Sequence, residues 1–194
     1  MVINDKALVR EMKRAYKGGG YTVAVRNGSC ALVIYSFAWV VELSGDNIPR
    51  EVLSLLTLHM GFLPEEGFAY KILKGKDEPT VQSTMYDVAM KPLQMLEETV
   101  AELTVVRSGI PLLRIRKTPL IFDGWNLWQK TANNGIVMLD PGYEDMLLKL
   151  EDVMMAGDAV YKEGKISKVF IMKGTGDGHE NALNHLGKIS WVAK

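Results

Sequence analysis

Cysteine is almost missing from this chain: Cys30 is the single one in 194 residues, which excludes an internal disulfide framework. It falls in an expected strand and reads as a small apolar core residue. An excess of either charge is also missing. Twenty-three basic and 23 acidic side chains balance, so no global field draws the protein to nucleic acid or membrane, and any such partner must be met by a local patch. No uninterrupted apolar run reaches the roughly 20 residues that span a bilayer, and the N-terminus has no charged n-region, apolar h-region and cleavage site. The expectation is a cytoplasmic protein with no membrane partner. Low-complexity segments are absent too. What is present is apolar: 47% hydrophobic and 24% charged residues suffice for a real core, in one large or two small domains.

A block of sequence occurs twice, about 82 residues apart by this reading. Its first copy opens with Thr22-Val23-Ala24-Val25-Arg26-Asn27-Gly28 and runs through Ala31-Leu32-Val33-Ile34. Its second opens with Thr104-Val105-Val106-Arg107-Ser108-Gly109 and runs through Leu112-Leu113-Arg114-Ile115. Each reads as a β-hairpin, the first turning at Asn27-Gly28, a pair that readily adopts positive φ. A short third strand follows in each (38–43 and 120–122), then an apolar helix started by Pro49 or Pro141. The helix after Pro141 turns Tyr143, Met146, Leu147, Leu150 and Met154 inward and exposes Glu144, Asp145, Glu151 and Asp152. Strand pairs close the copies, ending in Tyr86-Asp87-Val88-Ala89-Met90 and Val169-Phe170-Ile171-Met172. A last strand is expected at 188–193. The second copy carries an insertion-like stretch, 123–135. The pattern predicts an α+β protein of two pseudo-repeated halves, antiparallel strands with helices packed on the sheet, residues 1–90 and 91–194. The junction is a helix with Leu93, Leu96, Val100 and Leu103 on one stripe and Glu97, Glu98 and Glu102 facing away.

Before the first hairpin lies an amphipathic helix, 5–16, capped by Asn4 or Asp5 and ended by Gly18-Gly19-Gly20. Lys6, Arg10, Lys13, Arg14 and Lys17 share about one quadrant of its wheel, and Leu8, Val9, Met12 and Tyr16 occupy much of the opposite side. Five cations on one face attract phosphates without reading bases; Glu11 dilutes the patch, and an ordinary solvated face is the plain alternative.

Other candidates are less specific. Gly174-Thr175-Gly176-Asp177-Gly178-His179, followed by Glu180 and His185, has glycines that permit close anion approach and side chains that ligate metals. It lacks the lysine and hydroxyl of a P-loop and matches no zinc spacing, so it reads as a mobile, metal-free loop between two C-terminal strands. Trp125 and Trp128 are the candidate partner or ligand contacts, with pinning of the inserted loop as the packing alternative. His59, near a helix end, reads as a cap or hydrogen-bonded boundary residue. No catalytic residue, metal or cofactor is assigned.

The element order of helix, three strands, helix and strand pair, twice over, resembles the DNA sliding clamp family. The resemblance spans nearly the whole chain and rests on element order alone. It implies a protein that encircles duplex DNA without catalysis, with Lys6, Arg10, Lys13, Arg14 and Lys17 facing the duplex. The expected function is therefore a non-catalytic binding or assembly protein, clamp-like DNA association being its most concrete version, with protein partners or self-association besides. A small metal- or ligand-binding enzyme using the 174–185 loop, and a structural oligomer subunit, are the alternatives.

Overall fold

The computed structural model describes residues 1–26, 28–105 and 114–191, with backbone alone at 102–105. Its elements in chain order are α1 (Asp5–Lys17), β1 (Tyr21–Val25), β2 (Leu32–Ser36), β3 (Trp39–Leu43), α2 (Arg50–Met60), β4 (Phe68–Leu73), β5 (Thr80–Met85), α3 (Tyr86–Ala89) and α4 (Lys91–Val105). There follow β6 (Arg114–Phe122), β7 (Trp125–Lys130), β8 (Ile136–Leu139), α5 (Pro141–Glu144), β9 (Val153–Ala156), β10 (Ala159–Gly164), β11 (Ser167–Met172) and α6 (Glu180–Leu186). The class is α+β. The strands form a single antiparallel sheet in the order β5-β4-β1-β2-β3-β11-β10-β9-β6-β7-β8, so β3 and β11 join the two parts of the chain in one ladder.

Within each part the strands follow a common order, β5-β4-β1-β2-β3 and β10-β9-β6-β7-β8. The correspondence has a different offset from the one read in the sequence. The starts of β1 and β6 (21 and 114) and of β2 and β7 (32 and 125) are 93 positions apart, and Pro49 and Pro141 are 92 apart. The β6–β7 hairpin turns at Asp123-Gly124, with φ of 49° and 77°, the positive pair of a two-residue turn. Residues 123–135 are thus the β6–β7 turn, β7 and the approach to β8, not an insertion. Residues 120–122 end β6 and form no third strand. Thr104 and Val105 belong to α4, and the rest of the expected second hairpin, up to residue 113, lies outside the described residues.

Buried side chains fall on both faces of the sheet. One face, with Tyr21, Val23, Ile34, Trp39, Val41 and Ile72, packs against Leu8 and Met12 of α1 and Val52, Leu55 and Leu56 of α2. On the other, Ala24, Val33, Ala69, Tyr161 and Phe170 pack against Tyr86 of α3 and Met90, Leu93, Leu96 and Val100 around α4. Consequently α4 lies across the sheet from α1 and α2. Glu97 does not face away: its carboxylate accepts from Arg26 (2.7 Å) and from Lys168 (2.9 Å) on the sheet.

The β6–β11 portion is rolled. Five inter-strand steps separate β11 from β8, roughly 24 Å on a flat sheet. Yet Gly174, two residues and at most about 7 Å of chain beyond β11, donates its N–H to the Met138 carbonyl of β8 at 2.9 Å. Only a strongly curled sheet reconciles these lengths. A Cβ on Gly174 would stand 3.0 Å from the Trp125 ring and 3.2 Å from Met138 Cβ, so the approach depends on glycine.

Several local expectations change. Cys30 is exposed in the β1–β2 loop with φ 50°, outside any strand, where its side chain has no core to join. Residues 86–89 are helical rather than a strand end. The helix after Pro141 lasts one turn: Asp140 caps it, and the N-terminal segment then takes over the backbone of 146–148 through Asn4 N–H to Met146 O (2.9 Å) and Leu148 N–H to Val2 O (2.9 Å). Residues 188–191 are not a strand; 192–193 lie outside the described residues.

Candidate nucleic-acid interface

Helix α1 presents its cations because its other face is fixed. Asn4 Oδ1 accepts from Ala7 N–H at 3.4 Å, capping the first turn, while Ala7, Leu8 and Met12 are buried. Arg14 and Lys17 occupy the last turn, where cations complement the helix dipole. Lys6, Arg10, Lys13, Arg14 and Lys17 are all exposed, but they divide into two groups.

Arg10 and Arg14 are occupied by the protein itself. Glu11, read from the sequence as a dilution of the patch, is only 2% exposed and sits between them, 3.0 Å from Arg10 Nε and 3.5 Å from Arg14. Arg10 also donates to Gly142 O (3.0 Å) and Asp145 (3.2 Å). Arg14 lies 3.6 Å from Asp140 and over the Tyr143 ring at 5.4 Å. These contacts dock α1 on α5. By contrast Lys6, Lys13 and Lys17 make no ion pair with a described residue.

A fourth cation comes from elsewhere in the chain. Arg50, exposed in the first turn of α2, lines with Lys13 a groove of about 410 Å³ between α1 and α2 whose other walls are Val9, Glu51, Ser54, Leu55 and Leu58. Sequence reading missed Arg50, since its proximity to Lys13 exists only once the two helices pack. An acidic corner ends the groove, where Asp5 and Glu51 share a hollow with Lys6 and Val9. Burial, then Glu51, raises the Asp5 carboxyl above its ordinary pKa.

Beneath Lys13, His59 is stacked on Tyr16 with centroids 4.1 Å apart, and its Nδ1 is 2.9 Å from the buried Tyr21 hydroxyl. The imidazole is a hydrogen-bonded boundary residue. Its pKa is lowered, first by burial and second by Lys13.

The tryptophans separate as well. Trp128 is completely buried and donates Nε1–H to Glu144 Oε2 at 2.7 Å. Glu144, expected on the surface, is 4% exposed and also accepts from Lys117. Trp125 is half-buried against Gly174. The β6–β7 hairpin tip and the glycine-rich segment are thereby brought together: His179 Nε2 is 3.5 Å from Asp123, and its ring meets Phe122 edge-on at 5.0 Å. That segment leads into α6 and not into a strand. Glu180 accepts from Gly178 N–H at 3.3 Å, and His185 is exposed in the last turn of α6. Among the described residues no three His, Cys, Asp or Glu side chains converge as a metal site, and no helix is long and apolar enough to cross a membrane.

No known protein-family model matches the chain, and no curated protein matches it in sequence.

Proposed function

We propose that this protein is a non-catalytic binding protein whose α1–α2 face associates with duplex DNA without regard to base sequence. The observation that carries the proposal is a group of exposed cations with no ion pair to a described residue: Lys6, Lys13 and Lys17 on one face of α1, with Arg50 across the groove. Four exposed cations on neighbouring helices suit phosphates, where counterion release supplies the affinity.

The common strand order of the two parts, five strands each, supports a clamp-like version of this reading. The location of α4 limits it. With α4 on the opposite face of the sheet, the DNA-facing layer is α1 and α2, not a ring lined by every helix.

The test is duplex binding by fluorescence anisotropy at two salt concentrations. If the four cations each neutralise one phosphate, affinity falls roughly 100-fold between 50 and 200 mM salt. Replacing Lys6, Lys13, Lys17 and Arg50 by Glu abolishes binding while the far-UV circular dichroism is kept. Arg10 and Arg14 stay untouched because they hold α5. Absence of binding by the wild type at 50 mM salt, or equal binding by the folded variant, overturns the proposal.

A further inference from the structure

The two edges of the sheet differ. On β8 the outward carbonyl of Met138 is taken by Gly174 N–H, and α6 packs on the strand. At the other end, among the described residues, β5 is bonded to β4 alone. Tyr86 N–H donates to Gly67 O at 3.1 Å, and the register pairs Phe68 with Met85. Even-numbered residues of β5 therefore point their backbone groups at β4, and Val81, Ser83 and Met85 point theirs outward. Residues 80–85 read Thr-Val-Gln-Ser-Thr-Met: six residues with no charge, no proline and no bulge, the devices that ordinarily keep an edge strand from pairing. Pro79 stands just before them.

We propose that β5 is the self-association surface of this protein, pairing antiparallel with β5 of a second copy about a two-fold axis at Ser83. Obstruction of the β8 edge by Gly174 and α6 disfavours a head-to-tail chain of sheets and favours an isologous contact. A two-fold axis normal to the sheet keeps each face continuous and requires partners whose numbers sum to an even value. Centring on Ser83 pairs outward groups with outward groups and also matches the side chains. Ser83 exchanges two bonds with its own copy, and Met85 N–H donates to Val81 O in both directions, giving four inter-copy hydrogen bonds. Centring on Gln82 makes that residue a non-hydrogen-bonded pair on the axis and sets Val81 against Ser83 and Met85 against Pro79, and centring on Thr84 sets Met85 against Ser83 and Val81 against Asp87, so both lose the apolar match. Pairing ends where it must, because Pro79 has no N–H and α3 begins at Tyr86.

Side chains agree with this register. Val81 shares its face with Ile72, and Met85 with Phe68, so Val81 meets Met85 of the other copy as an apolar cross-strand pair. Met85 is 59% exposed and Phe68 41% in the single chain; Phe62 packs edge-on against Tyr70 beside them. On the opposite face Gln82 meets Thr84. No like charges face one another in the paired segment.

This inference is independent of the DNA proposal and is tested without nucleic acid. Sedimentation velocity of the full chain should give about 43 kDa, twice the 21.6 kDa monomer, and Ser83→Pro, which removes an outward N–H without touching the β4 ladder, should return it to monomer. In a Cys30→Ser background, Ser83→Cys should form an inter-chain disulfide under mild oxidation. Facing residues of a hydrogen-bonded pair stand about 5.5 Å apart at Cα, inside the disulfide range. Gln82→Cys and Thr84→Cys, displaced from the axis, should not. A wild type that stays monomeric at high micromolar concentration overturns the proposal. So does a dimer that survives Ser83→Pro, or cross-linking that is equal at 82, 83 and 84.

Discussion

Removing the Glu144 carboxylate leaves two donors, the Trp128 indole N–H and the Lys117 ammonium, without their acceptor. Trp128 is completely enclosed, so water cannot replace the lost partner, and an orphaned buried donor costs more than the bond it once made. Glu144→Ala should therefore lower stability by about 2–4 kcal/mol. In a Trp128→Phe background the same substitution should cost markedly less, since the donor is gone; additive losses in urea titrations of the four proteins would contradict this account. His59 makes a second residue-scale prediction. Its folded pKa lies below the ordinary 6.5 because burial, then Lys13, disfavours the cation. The unfolded chain thus binds the proton more readily, so stability is full above about 6.5 and is lost as pH falls through that value toward the folded pKa. His59→Gln, which keeps a polar partner for Tyr21 but does not titrate, should flatten this limb. Melting temperatures of both proteins between pH 5 and 8 provide the check, and parallel curves would remove His59 as the cause.

At the scale of elements, α4 is held on its face by apolar contacts and by one shared carboxylate. Burial alone would raise the Glu97 pKa, but hydrogen bonds and charge from Lys168 and Arg26 outweigh it and hold the group below its ordinary value. Glu97→Ala should loosen α4 by roughly 1–3 kcal/mol, seen as faster amide exchange in α4 with exchange in α1 unchanged. With the wild type, the same docking should weaken as pH falls below the ordinary carboxyl value of 4.5. Uniform acceleration across both helices would mean that Glu97 supports the whole fold and not one element. These contacts also explain which elements could be read in advance. Helices α1 and α2 were legible because their caps and apolar periodicity are local. The stripe after Pro141 is equally periodic, yet its helix stops at Glu144 because Val2 and Asn4 pair with 146–148, and no local pattern records a segment arriving from the far N-terminus. Glu97 and Glu144 were read as solvent-facing because periodicity gives a side chain its angle around an axis and not the neighbour it meets. The bond from Trp128 to Glu144 likewise depends on a neighbour that no local pattern names. The basic face of α1 was legible as a face, whereas its division into structural arginines and free lysines depends on Glu11, Asp140 and Asp145 converging from two helices.

On the scale of the molecule, the common strand order invites a picture of two halves, and the sheet argues for one folding unit. The outer edge of β3 is completed by β11, α1 docks on α5 through Arg10 and Arg14, and Val2 donates to Ser167 Oγ at 2.9 Å. Each part therefore supplies what the other lacks. Residues 1–90 alone would expose the β3 edge and one side of the core around Trp39 and Val41, both essentially buried in the whole chain. Residues 91–194 alone would lose the N-terminal segment that orders 146–148 and the helix that covers α5. We predict a single cooperative unfolding transition, with calorimetric and van't Hoff enthalpies equal. Neither fragment should fold when produced alone, and mixing the two during refolding should restore native-like tryptophan fluorescence, because Trp39 and Trp128 then regain their burial. Two resolved calorimetric transitions, or a 1–90 fragment with a dispersed amide spectrum of its own, would show that the halves fold independently and that the β3–β11 ladder merely joins finished domains.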